Sequence, residues 1–296
     1  MKALLAEYTI FHDPELAPEG EAMLGVLRES FERCGYQVVS PEGIDFLGEI
    51  TRLASFCDFG LVIAPDHLLS RFTAAIEKLT HNLGCGSMNV AVCANKRQTS
   101  RILGQHGIPV PEEVQEGRRV IKPDTGCGSI GVRLGSGPLG EGEFGQRYIE
   151  GEHFSVSLVG SRLVGDACLY YSGNPPLVLA LNRQHITIDD RGHFCYQGGE
   201  TPVNDHKQYD EIVAVAQKAV SILGCQGYTG VDIVLADRPY VVDVNPRITT
   251  SIVGIVACME EEIADILIRA SRGEAPETVH FKGKIGYDRH GRVISP

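Results

Sequence analysis

A chain of 296 residues with 43% hydrophobic content can bury a substantial core and is too apolar for a disordered protein. Its formal net charge of −11 disfavours a nucleic-acid partner, whose phosphate backbone needs concentrated Lys and Arg. No apolar run approaches the ~20 residues that span a bilayer, and the opening MKALLAEYTIFHDPE reads as a first strand rather than a signal peptide. These features fit a cytoplasmic enzyme with small-molecule partners, no nucleic acid and no membrane. A homodimer stays open.

From Met1 to about Val92 strand and helix patterns alternate, which argues for a parallel sheet. Strands are expected at Ala3–Ala6, Gln37–Val39 and Phe59–Ala64. Helices are expected at Glu19–Cys34, Ile44–Phe56 and Asp66–Leu83. The part from about Cys93 to Gly145 is small and glycine-rich. Its helix starts at Asn95, a good N-cap, and stops near Gly107 with Pro109 beyond. Apolar residues are sparse over Gly135–Gly145, as in a mobile flap and its connection.

Within that part, Arg119–Val132 reads RVIKPDTGCGSIGV. A short apolar strand carries Lys122 at its end and runs into a loop holding Gly126, Gly128, Ser129 and Gly131. Glycine lets backbone N–H groups approach phosphate oxygens, and the lysine adds a point charge for the same anion. The lysine precedes the glycines, so this is not a Walker loop, and G-x-G-x-x-G is absent too. An ordinary surface turn is the competing reading. Cys127 lies inside the loop, as a tolerated small side chain or a redox-sensitive thiol. The nine cysteines are an odd number with no CxxC pair, which supports neither a zinc site nor a disulfide framework.

From Gln146 to Pro296 strand patterns dominate. One helix is expected at Asp205–Leu223, with Ile212, Ala216, Ala219 and Leu223 on a stripe and Gly224 as its stop. Another is expected at Glu260–Ser271, and the tail Phe281–Pro296 is polar and loosely packed. Gly230–Ser251, GVDIVLADRPYVVDVNPRITTS, reads as a β-hairpin. Centring its turn on Asp237 and Arg238 pairs Leu235 with Tyr240 and sets Asp232 opposite Asp243. Alternation puts Asn245 on their face and Val231, Ile233, Leu235, Val242 and Val244 on the core face. Facing carboxylates repel. Either a hard cation such as Mg²⁺ lies between them, or one is protonated or turned to solvent.

The order of elements is more specific than any one of them. Lys96 opens a helix, Lys122 precedes the glycine loop, QRYIEGEHFSVSLV follows at Gln146–Val159, and the Asp232/Asp243/Asn245 hairpin comes last. This arrangement resembles the ATP-grasp superfamily of carboxylate–amine ligases over roughly Val90–Ser251. The resemblance implies an α/β fold with an α+β ATP-binding part. Its N-terminal parallel-sheet subdomain would cover residues 1–92, its small central lid 93–145, and its C-terminal mixed or antiparallel-sheet subdomain, with the metal site, 146–296. It implies that Lys96 and Lys122 contact ATP phosphates and that Gln146, Tyr148 and Ile149 hold adenine. It also implies that Asp232, Asp243 and Asn245 bind Mg²⁺ or Mn²⁺. The ribose-binding acid of the usual G-x-E is displaced: His153 holds that position and Glu152 stands one place earlier. Asp243 stands where Glu is commoner.

NPRITTSIVGI, the LNRQHI segment at Leu181–Ile186 and YQGGETP at Tyr196–Pro202 are similar to a small archaeal branch of the superfamily. That branch contains the tyramine–glutamate ligases of methanofuran biosynthesis, with the ligase of the pyrrolysine pathway among its relatives. The implied reaction activates an amino-acid carboxylate as an acyl phosphate, which a small amine then attacks. Arg247 is the candidate for the oxyanion or for a phosphate. Arg183 is the candidate for an α-carboxylate, or else a surface arginine. Thr249, Thr250 and Ser251 serve substrate or cap the next segment. Gly198 and Gly199 admit substrate or make a tight turn, and Tyr170 and Tyr171 line a pocket or pack. His185 and His193 read as ordinary histidines. A different acid–amine pair, or a nucleotide-binding regulator of the same fold without turnover, are the alternatives.

Overall fold

The computed structural model describes residues 1–126, 130–161 and 175–294. Strand β1 (Lys2–Glu7) leads through helices α1 (Thr9–His12) and α2 (Ala17–Arg33) to β2 (Gln37–Val39). Helix α3 (Phe46–Ala54) then leads to β3 (Phe59–Ile63), and α4 (Asp66–Glu77) to β4 (His81–Asn82). The four strands form a parallel sheet in the order β2–β1–β3–β4. Pro18 sits in the first turn of α2, where a missing N–H costs nothing. The Asp45 carboxylate caps α3 by accepting from the Gly48 N–H. Helix α4 stops short of the expected Leu83 because His81 and Asn82 are drawn out as a strand beside Phe59 and Gly60.

Two helices follow, α5 (Ser87–Ala94) and α6 (Lys96–Gln105). The Asn95 side chain accepts from the Gln98 N–H at 2.8 Å, which fixes the start of α6 and the position of Lys96. Strands β5 (Arg119–Pro123), β6 (Arg133–Gly135) and β7 (Glu143–Arg147) make a small antiparallel sheet with β5 central. Strand β7 runs across the division expected at residues 145 and 146.

The largest sheet begins with β8 (Glu152–Gly160), β9 (Leu177–Ile188) and β10 (Phe194–Thr201). After α7 (Tyr209–Leu223) it continues with β11 (Gly227–Leu235) and β12 (Pro239–Asn245). Helices α8 (Ser251–Cys258) and α9 (Ile263–Ala270) precede β13 (Ile285–Asp288) and β14 (Val293–Ile294). Its strand order is β12–β11–β8–β9–β10–β13–β14, with antiparallel neighbours throughout. Gly224 ends α7 in the left-handed conformation, φ 63°. The tail departs from the loose packing expected of it. It extends the sheet, and Tyr287 is buried against Gly199 and Gly254, where any Cβ would collide with its ring.

The parallel sheet and the large sheet share their apolar packing. One cluster joins Leu4 and Phe72 to Leu103, Phe154, Ile212 and Val231, and a second joins Leu27 and Phe31 to Tyr228, Ile252 and Leu267. Gly227, with φ 61°, brings the start of β11 against the backbone after β4; a Cβ there would lie 2.4 Å from the Leu83 carbonyl oxygen. Among the described residues no helix is long and apolar enough to cross a membrane.

Candidate active site

A cleft of about 820 Å³ is lined by the small sheet, the large sheet and the segment 14–19 that opens α2. Its floor is the β11–β12 hairpin. The turn is tighter than expected: Leu235 pairs with Pro239, and Ile233 with Val241. A bulge then adds one residue on β12, so that Asp232 does face Asp243 and Val231 faces Val244. The extra residue also corrects the face assignment. Val241, not Val242, is the core residue, and Val242 lines the cleft.

The two carboxylates are held differently. Asp232 accepts from Gln184 Nε2 at 2.9 Å and from Asn245 Nδ2 at 3.1 Å. Burial, and next the Asp243 charge, push its pKa up to about 6. Asp243 accepts an ion pair from Lys96 Nζ. Burial would raise its pKa, but Lys96 and Lys122 outweigh that and hold it below the usual value. Burial would likewise lower the Lys96 pKa, and the Asp243, Asp66 and Asp232 carboxylates outweigh it and hold it high. Lys122 donates to the Val242 carbonyl at 2.9 Å and has no ion pair among the described residues; burial lowers its pKa to about 8.

Further from this charged centre, Gln146 on β7 is buried and donates to Ser100 Oγ and the Pro111 carbonyl. Gln146 itself lines the cleft, and its Oε1 is buried with no hydrogen-bond partner among the described residues. Tyr148 and Ile149 line the cleft too, and His153 and Ser155 reach it from β8. Burial lowers the His153 pKa. Gly126, at φ 151°, reaches the cleft from the other side. Gly128, Ser129 and Cys127 lie outside the described residues, as do Tyr170 and Tyr171.

Two expected site residues do not line the cleft. Alternation along β8 turns Glu152 to the face opposite His153, where it pairs with Arg183 and approaches His206. Arg183 packs over the Phe154 ring at 5.2 Å on that same face. Its neighbour Gln184 is the β9 residue that reaches the site. Gln184 stood in the LNRQHI segment, and the strand phase was the signal that could have selected it. Gly198 and Gly199 fit neither reading offered for them. They lie within β10, where a side chain would strike the Tyr287 backbone and the Arg183 carbonyl.

Arg247 lines the cleft and forms a buried ion pair with Asp66 at 3.0 Å, at the start of α4. Thr250 donates to Glu19 on α2, and Ser251 joins a buried hydroxyl network with Ser157, Tyr228 and Thr249.

The Asp232, Asp243 and Asn245 oxygens suit a hard divalent cation. Two facing carboxylates carry charge that protein donors only partly offset, as the raised Asp232 pKa records. Among the described residues no cluster of three or more His, Cys, Asp or Glu side chains offers a denser site.

Residues 93–251 match the family model described as ATP-grasp domain. The chain is 35% identical over 222 residues to a tyramine–L-glutamate ligase of Methanocaldococcus fervens, covering 73% of this chain and 67% of that protein. A protein of the same description from Methanocaldococcus jannaschii is 34% identical over 223 residues, covering 73% and 64%. The chain thus spans about two thirds of the length of the curated relatives it matches. The crystal structure of an ATP-grasp superfamily protein from Archaeoglobus fulgidus superposes with a TM-score of 0.77 at 27% identity, covering 97% of this chain and 92% of that one. The chain belongs to the ATP-grasp family. Within it, the protein is an ATP-dependent ligase that joins a carboxylate to an amine.

Proposed function

We propose that the protein forms γ-glutamyltyramine from L-glutamate and tyramine, releasing ADP and phosphate. The observation that carries the phosphoryl-transfer part is the facing pair Asp232 and Asp243, flanked by Lys96 and Lys122 on one cleft floor. The names of the archaeal relatives support the choice of substrates.

In this reading adenine lies along Tyr148 and Ile149, and its amino group donates to the unpaired Gln146 Oε1. His153, not Glu152, stands beside the ribose. Lys122 and the Gly126 loop take the phosphates. Asp232, Asp243 and Asn245 would hold Mg²⁺ or Mn²⁺, which neutralises the charge of the phosphoryl oxygens. Lys96 exchanges its bond to Asp243 for one to a phosphate. The glutamate γ-carboxylate attacks the γ-phosphorus, and the acyl phosphate formed is shielded from water by the small sheet, residues 93–145 in the expected division. The amine then attacks the acyl carbon and phosphate leaves. Arg247, fixed by Asp66, faces the cleft where the carbonyl oxygen gains charge.

The test crosses a panel of amino acids with a panel of amines, with ADP release and product mass as readouts. Glutamate with tyramine should give the γ-glutamyl amide. Turnover with another pair and none with this one would discard these substrates and keep the ligase. Nucleotide binding without ADP release for any pair would favour a non-catalytic regulator.

A further inference from the structure

The cleft is also lined by segments that no nucleotide role uses. The β13–β14 turn supplies Arg289 and His290, α2 supplies Glu19, and Tyr196 and Tyr287 line it as well. The turn is fixed by its own backbone. Asp288 Oδ1 accepts from the His290 and Arg292 N–H groups at 2.9 Å each, and Gly291 takes φ 74°. The turn also rests on α2, since a Cβ on Gly291 would lie 2.7 Å from that of Ala22 and 3.9 Å from Thr250 Cγ2. Glu19 lies one helical turn before Ala22, and Thr250 donates to it. Arg289 and Glu19 are therefore held on neighbouring parts of one wall.

Their charges are not spent on each other or on neighbours. The Arg289 Nε donates to His290 Nε2 at 3.1 Å, and among the described residues no carboxylate pairs with this guanidinium. Glu19 accepts from Thr250 and has no cationic partner among the described residues. A wall carrying one unspent cation and one unspent anion matches a zwitterion.

We infer that Arg289 and Glu19 form the subsite for the α-carboxylate and α-ammonium of an amino-acid substrate, which leaves its side-chain carboxylate directed at the Asp232–Asp243 centre. This deepens the ligase reading and rests on it for the identity of the acid. It also moves the carboxylate grip from Arg183 to an arginine that lines the cleft.

The experiment compares glutamate with 4-aminobutyrate, which lacks the α-carboxylate, and with glutarate, which lacks the α-ammonium. KM is measured in turnover. Affinity is measured by calorimetry on the full chain loaded with a non-hydrolysable ATP analogue and Mg²⁺. The wild-type protein should prefer glutamate to both analogues. Arg289→Met should erase the preference over 4-aminobutyrate, Glu19→Gln the preference over glutarate, and each should weaken glutamate about 10-fold to 100-fold. The KM for ATP should stay within about twofold in both variants, and Arg289→Lys should recover part of the loss.

Unchanged preferences in both variants would overturn the inference, and so would a loss shared equally by glutamate and ATP. If calorimetry gives these shifts while no ADP is released, the subsite stands and the ligase reading falls. If the wild-type protein uses a different amino acid, only glutamate falls, and the deamino and decarboxy analogues of that acid repeat the test. Binding of acids that lack an α-amino group in preference to all amino acids would sink both.

Discussion

Asp232 faces Asp243 because a bulge on β12 restores a register that the Ala236–Arg238 turn displaces by one residue. The repulsion between them is a local cost retained in the folded chain. Asp232→Asn removes that repulsion at nearly constant shape. In the absence of nucleotide the variant should unfold at the same temperature as the wild-type protein or higher, while turnover falls about 10²-fold or more. Thermal unfolding and ADP release on the same preparation check both halves. Wild-type turnover would remove this carboxylate from the chemistry.

Lys122 is a buried ammonium whose one hydrogen-bond acceptor among the described residues is a backbone carbonyl. Lys122→Met should therefore fold well and bind ATP about 10-fold to 100-fold more weakly, the scale of a charge-assisted hydrogen bond. Nucleotide titration gives the affinity, and circular dichroism gives the fold. Equal ATP affinity in a folded variant would exclude the lysine from the phosphate site.

Gln146 lines the cleft, and its buried Oε1 has no hydrogen-bond partner among the described residues. Adenine offers an amino group there, and guanine offers a carbonyl. Gln146→Met should raise the KM for ATP about 10-fold and narrow the preference for ATP over GTP. The ratio of kcat/KM for the two nucleotides is the readout. An unaltered ratio would mean that the base is read elsewhere.

The small sheet carries an ion pair with a pH signature. Arg133 grips Glu143 at 2.5 and 2.9 Å, and the Gly140 N–H adds a bond at 2.8 Å. Together they lower the Glu143 pKa from 4.5 to about 2, with the Arg133 bonds first. The folded-state value lies below the unfolded one, so the stabilisation is complete above about pH 4.5 and fades as pH falls toward 2. Glu143→Gln should destabilise the protein by about 1 kcal/mol at pH 7, a figure that allows for solvent screening. The gap should shrink in denaturant titrations at pH 3, and a constant gap would contradict the assignment.

Much of the cleft floor was legible because hairpin alternation is set by period two, and Asp232, Asp243 and Asn245 satisfy it together. The bulge was not legible. Val241 and Val242 are the same residue type, so nothing in their chemistry says which one turns inward. The same ambiguity left Glu152 and His153 both open as ribose residues, and Arg183 was singled out while its neighbour Gln184 was not. In each pair two polar neighbours point to opposite faces, and only the strand phase separates them. Helices α5 and α8 were missed for a different reason. SMNVAVCA and SIVGIVAC lack the polar stripe that marks an amphipathic helix. The tail was read as loose because it is polar, and its buried anchor, Tyr287, packs against glycines, Gly199 and Gly254, rather than an apolar stripe.

The ion pair between Arg247 and Asp66 bears on how separable this enzyme is. Arg247 belongs to the segment that matches the ATP-grasp domain, and Asp66 lies outside it. Both side chains are largely shut off from water. Excising residues 93–251 as a portable catalytic cassette would part a buried guanidinium of the cleft from its carboxylate, and such a charge costs several kcal/mol when its partner is removed. Transplanting this activity onto another scaffold therefore requires carrying the start of α4 along with the hairpin, since ancestry and chemistry draw their borders in different places on this chain.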